Sequence, residues 1–230
     1  MIQLERPPEP ESLTRNRSKW TIRWVNILQD GKELDWATRA AKNALKPALT
    51  EFSYGKCAFC EGTLGVTAYL QIEHYYAKTA EPHRVFEWEN LFPSCGICNP
   101  SKGNLDHKGR LLKPDAENPE PLLWLDPGTG ELQPHPNLDD EQKQRVLETI
   151  TAYGLQRGKL CAARIEMMDR VNRWLARIDG ESKMSPECRQ EWDEMINPST
   201  PWKFVIRHVL TLKGQPALAE IDRQTFLRRA

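Results

Sequence analysis

Apolar and polar positions alternate along this chain with two periods, and most of the periodic length is helical. Residues 1–10 are rich in Pro and Glu and predict an extended arm. From Glu11 to Leu28 the apolar residues Trp20, Ile22, Val25, Ile27 and Leu28 recur among basic ones in a mainly helical pattern that Gly31 interrupts. A second helix is predicted from Asp35, with Trp36, Ala40, Leu45, Ala48 and Leu49 apolar. Pro47 marks a kink or boundary, and Tyr54-Gly55 the end.

The period then changes to two. Tyr69, Gln71 and Glu73 alternate with Leu70, Ile72 and His74, which predicts a short strand ending at His74 with Glu73 and His74 on opposite sides. Residues 105–138 are rich in Pro and Asp. Pieces such as Leu122-Leu123-Trp124-Leu125, followed by Asp126-Pro127-Gly128-Thr129-Gly130, read as a long loop or as two short strands joined by that turn.

Helical periodicity returns at Asp139-Asp140-Glu141, an acidic start that suits the helix dipole. After Gly154 and Gly158 a further helix runs from Lys159 to about Ile178, with Ile165, Met168, Val171, Trp174 and Leu175 at three- and four-residue steps. An apolar helix around Phe204–Leu212 and a basic end, Phe226-Leu227-Arg228-Arg229, complete the chain, which shows no internal repeat. The elements sum to an α+β, predominantly helical fold. Its expected parts are an N-terminal helical region (1–56), a small core (57–110), a Pro-rich loop (111–138) and a C-terminal helical region (139–230).

Composition changes this picture little. With 230 residues, 39% hydrophobic and 28% charged, the chain is long enough for a sizeable core. It has no signal peptide and no long apolar run, so a cytoplasmic protein with no membrane partner is expected. Net charge is zero but unevenly spread. Residues 57–135 carry six Lys/Arg against eleven Asp/Glu, residues 141–177 eight against four, and residues 203–230 six against two. Basic surface would come from outside the core, so unaided affinity for a polyanion should be modest and salt-sensitive. Equally, these residues read as solvated helix faces, and that alternative points to a partner that supplies substrate binding.

The chemistry concentrates in residues 57–104. Cys57-Ala-Phe-Cys60 and Cys95-Gly-Ile-Cys98 are paired Cys-x-x-Cys knuckles, and the two-residue gap lets both thiolates of a knuckle face one tetrahedral ion. Cys57, Cys60, Cys95 and Cys98 therefore suit one structural Zn²⁺. A redox pair would need one motif beside a βαβ pattern, which is absent. Cys161 and Cys188 remain as reduced thiols. Between the knuckles lie Ile72-Glu73-His74-Tyr75-Tyr76 and Trp88-Glu89-Asn90-Leu91. A neutral imidazole takes a proton from water near neutral pH, and a neighbouring carboxylate holds a hard cation. His107, Asp106 and Asp115 are weaker candidates for the same site, because nothing fixes their geometry.

With these residues in place the sequence resembles the HNH nuclease family, whose ββα-metal core is a two-stranded hairpin followed by a helix. The family's first His matches His74, its central Asn matches Asn90, and its last position, His or Asn, matches Asn99. The resemblance implies His74 as general base, Asn90 holding the hairpin loop, and Glu73 with Asn99 coordinating a catalytic cation. Lys102 matches a basic position that meets phosphate. Asn in place of the last His favours Mg²⁺ or Mn²⁺ over a softer metal there. Asn104 is the alternative to Asn99 as ligand.

The whole layout of residues 56–104 looks like the HNH subunit of Septu anti-phage systems and their retron-associated relatives. It departs in having Ala77-Lys78 where Pro-Lys is commoner. That resemblance implies a defence effector that degrades nucleic acid on infection together with an ABC-like ATPase. A stand-alone DNA-nicking enzyme of restriction or homing type and a catalytically silent zinc-stapled binding module are the alternatives, and DNA and RNA remain equally open as substrate.

Overall fold

The computed structural model describes residues 1–32, 35–65, 69–178 and 184–227. Helices dominate, as expected, and two small antiparallel sheets sit among them. Helix α1 (Glu11–Gln29) and helix α2 (Arg39–Phe52) come first. The side chain of Thr38 caps α2 by accepting from the Ala41 amide, which places the helix start four residues later than the apolar pattern suggested. Pro47 neither ends nor bounds α2. The residue is exposed, so the carbonyl left without its amide can be met by water.

Strand β1 (Gln71–His74) pairs with strand β2 (Leu91–Ser94), in the register Gln71 to Ser94 through His74 to Leu91. All four residues of β2 are buried, with α2 packed against them. A one-turn helix α3 (Cys98–Lys102) follows, with Pro100 inside its first turn, where a missing N–H costs nothing. The order is strand, strand, helix.

Of the two readings of 105–138, the hairpin holds. Strand β3 (Leu123–Leu125) pairs with β4 (Leu132–Pro134), and Asp126 closes the turn by accepting from the amides of Gly128 and Thr129. Helix α4 (Asp140–Ala152) starts at a capping box formed by Asp139 and Gln142. Helix α5 (Gly158–Ile178) buries Met168, Val171, Trp174 and Leu175 of the stripe read from the sequence, and its fifth position, Ile165, is half-buried. Helix α6 (Pro186–Ile196) was not expected from the apolar pattern, although Ser185 as cap and Pro186 at the first position mark its start. Helix α7 (Lys203–Leu212) and helix α8 (Pro216–Leu227) end the fold. The side chains of Phe226 and Leu227, and Arg228 and Arg229 entirely, lie outside the described residues.

The N-terminal arm is extended but docked. Ile2 and Leu4 are buried, and Arg6 reaches behind the β1–β2 hairpin. Its guanidinium lies 4.3 Å from the Phe52 ring and 4.6 Å from that of Phe92. It donates to the carbonyls of Trp88 and Leu91 and to Asp115. The cation is thus held by aromatic faces and by acceptors at once. This strap fixes the back of the hairpin that carries the candidate site.

Candidate functional site

The four knuckle thiols converge. Cys57, Cys60, Cys95 and Cys98 are all buried, and their Sγ atoms lie within 4.8 Å of one another, with Cys60 and Cys95 at 3.9 Å. A tetrahedral Zn²⁺ with Zn–S bonds of 2.3 Å spaces its sulfurs about 3.8 Å apart, so the cluster has the dimensions of a structural zinc site. Backbone bonds hold the knuckles in place: the Ala58 amide donates to the Pro93 carbonyl on β2, and the Cys57 amide to that of Gly62. The C-terminal helical region closes over them. Tyr153 stacks on Phe59 at 3.7 Å, and both Nη atoms of Arg157 lie 3.6 Å from Cys98 Sγ. A thiolate there meets a permanent cation.

His74 ends β1 and is buried. Its Nε2 lies 3.1 Å from the Val85 carbonyl, which only accepts. Nε2 therefore carries the proton and Nδ1 the lone pair. Burial, with Lys78 nearby, pushes the imidazole pKa down to about 3, so the ring is neutral throughout the physiological range. Trp36 meets this ring edge-on at 4.4 Å.

Asn90 is fully buried and works on the segment between the two strands. Its Oδ1 accepts from the Tyr76 amide at 2.7 Å, and its Nδ2 donates to the carbonyls of Arg84 and Tyr76. One side chain thus ties both ends of the loop that presents Val85 to His74.

Glu73 is 1% exposed and faces Lys102, equally buried, across 2.6 Å. Lys102 also donates to the His74 carbonyl at 2.6 Å. Burial outweighs this counter-ion and raises the Glu73 pKa to about 7. The second oxygen, Oε2, is buried and has no hydrogen-bond partner among the described residues. Asn99 on α3 donates from Nδ2 to Gln71 Oε1 at 2.9 Å, which leaves its Oδ1 as an acceptor.

Glu73, His74 and Asn99 line one recess of about 70 Å³, together with Trp36, Ile72, Ala77, Lys78, Gly103 and Asn104. Asn90 and Lys102 lie behind it rather than in its wall, and Lys102 is occupied by Glu73. Both asparagines weighed as cation ligands line it, and Asn104 Oδ1 accepts from Lys78. An unpartnered carboxylate oxygen beside amide oxygens is a donor set that suits a hard divalent cation. His107, Asp106 and Asp115 are not in the wall, and Asp115 pairs with Arg6 and Lys113. Trp36 and Lys78 were not read as site residues. For Lys78 a signal was available, since it follows His74 by four residues in the same connection.

These features define a protein with a buried four-cysteine cluster that could hold a metal such as zinc, a strand–strand–helix unit and a recess at its strand end. No protein-family model matches the chain. It is similar to the Septu protein PtuB of Bacillus thuringiensis, at 36% identity over 121 residues, covering 52% of this chain and 44% of that one. It is also similar to the Septu protein PtuB of Bacillus mycoides (strain KBAB4), at 27% identity over 176 residues, covering 65% of this chain and 60% of that one. The chain thus spans roughly half the length of these curated relatives. Among the described residues no helix is long and apolar enough to cross a membrane.

Proposed function

We propose that this chain is a metal-dependent endonuclease of the HNH type that hydrolyses phosphodiester bonds and serves as the nucleolytic effector of a Septu-like anti-phage system. The observation that carries the reading is the meeting of a neutral, oriented imidazole and a buried, under-bonded carboxylate in one recess. Both stand on a hairpin stapled by four thiols.

In this reading the Val85 carbonyl holds the His74 ring by Nε2–H, and Nδ1 accepts the proton of a water that attacks phosphorus. Asn90 is a positioning residue that fixes the loop bearing Val85. Glu73 with Asn99, or with Asn104, would hold Mg²⁺ or Mn²⁺. When bound, such a cation supplies charge stabilisation at the scissile phosphate and the leaving oxygen. Lys78 adds a positive charge to the rim, and Lys102 keeps the Glu73 carboxylate in place. The zinc site is structural.

The similarity to two Septu proteins supports a defence role with a second component. We infer an ABC-like ATPase as that component, consistent with a net charge of zero on a chain that must engage a polyanion. Mapping the ends of cleaved plasmid or RNA tests the chemistry. Water attack with a leaving 3′ oxygen gives 5′-phosphate and 3′-hydroxyl ends, whereas 5′-hydroxyl ends would refute the assignment.

A further inference from the structure

A groove of about 360 Å³ adjoins the catalytic recess and shares Trp36, Ile72 and Asn99 with it. Its other walls are Leu70 and Gln71 on the β1 side and Lys42 and Lys46 on α2. The two lysines are one helical turn apart, hence on the same face of α2. Arg39, three residues before Lys42, is exposed at the start of the helix, and residues 36–46 contain no carboxylate. The acid paired with Lys42 is Asp35, in an exposed pair whose net worth is small, so a phosphate can replace it. Tyr69, the neighbour in sequence of the groove residue Leu70, is 91% exposed.

We propose that this groove is the substrate track, and that it takes an unpaired nucleic-acid strand. Lys42 and Lys46 bind the phosphates next to the scissile one, and Tyr69 stacks a base. The proposal rests on the nuclease reading and names its substrate class. A cationic groove with an adjacent aromatic is the combination that binds single strands without regard to sequence. The recess also selects for such a strand. His74 and Glu73 are buried side chains lining a recess of about 70 Å³, which a flexible backbone can turn into and a stiff duplex rides over. Helix α2 thus supplies substrate contacts in addition to packing against β2.

The test uses the full chain and fluorescein-labelled oligonucleotides as single-stranded DNA, single-stranded RNA and the matching duplexes. Binding is measured by anisotropy as a function of salt, in a His74→Ala background and in that background with Lys42→Glu/Lys46→Glu. A Lys42→Ala/Lys46→Ala pair and circular dichroism guard against misfolding. The expected result is tighter binding of a single strand than of its duplex. The double charge reversal should weaken it about tenfold or more and reduce the salt slope by about 1.4, at ~0.7 per phosphate contact. A Tyr69→Ala variant should weaken single-strand binding and leave the salt slope unchanged. Equal or tighter binding of duplex, no binding to any probe, or an unchanged affinity and slope in both lysine pairs would overturn the proposal. Preference for DNA or for RNA names the sugar. Cleavage that survives the lysine changes but is lost in His74→Ala would sink the track and keep the nuclease. Lysine-dependent binding by a wild type that never cleaves would do the opposite.

Discussion

Replacing Asn90 by alanine isolates the loop on which the orientation of His74 depends. The side chain is fully buried and makes three hydrogen bonds, one from the Tyr76 amide and two to the carbonyls of Arg84 and Tyr76. Each such bond is worth about 1 kcal/mol net, and truncation leaves three backbone groups short of a buried partner. The bond at 3.3 Å counts for less, so the expected loss is about 3 kcal/mol of unfolding free energy. Asn90→Asp is the sharper variant, because it keeps the acceptor for Tyr76 and turns the donor into an acceptor facing two carbonyls. It should cost at least as much as alanine. Urea unfolding gives the free energy, and amide hydrogen exchange at Tyr76 reports whether the loop opens. A loss below about 1 kcal/mol, with Tyr76 still protected, would refute the reasoning that Asn90 holds the loop.

Other outcomes follow from the same geometry. Cys95→Ser should lower zinc content from about one per chain and destabilise the fold by several kcal/mol, while Cys161→Ser and Cys188→Ser leave zinc unchanged, as metal analysis and thermal unfolding will show. Removing the cation near Cys98 by Arg157→Met should speed zinc transfer to a chelator several-fold without changing stoichiometry; an unchanged rate would mean that the contact does not shield the thiolate. His208 packs against Trp124 at 4.9 Å, and burial lowers its pKa. A base with a depressed folded pKa contributes stability that is present above its unfolded value of about 6.5 and lost as pH falls below it. The drop in stability from pH 7 to 5 should therefore be smaller in His208→Gln than in wild type, and equal drops would count against it.

The helices were largely legible because apolar periodicity survives in any sequence that buries one face, as the Met168, Val171, Trp174 and Leu175 stripe of α5 shows. The strand ending at His74 was legible from its alternation of residue types, not from one-sided burial: Ile72, Glu73 and His74 are all buried, and Glu73 and His74, expected on opposite sides, line one recess. The start of α2 was misplaced because Trp36 continues the apolar pattern, while the cap that sets the boundary is Thr38. The convergence of the four cysteines could be read from spacing, since a knuckle is a local device. What covers them could not. Tyr153 and Arg157 reach the knuckles from more than fifty residues away, and a Tyr or Arg near a helix end looks the same whatever it touches. The ion pair of Glu73 and Lys102 was hidden likewise. Each residue was read alone as facing metal or phosphate, and only the packing of α3 against β1 places them at 2.6 Å.

The most direct measurement of the central claim is cleavage of supercoiled plasmid and total cellular RNA by the purified, zinc-loaded chain. It is run in Mg²⁺ or Mn²⁺, with and without the proposed ATPase component, for wild type beside His74→Ala and Asn99→Ala. The expected result is a cation-dependent activity in wild type that His74→Ala abolishes and Asn99→Ala weakens, both variants retaining zinc and fold. Cleavage undiminished in His74→Ala, or none in any combination from folded, zinc-bound protein, would contradict it.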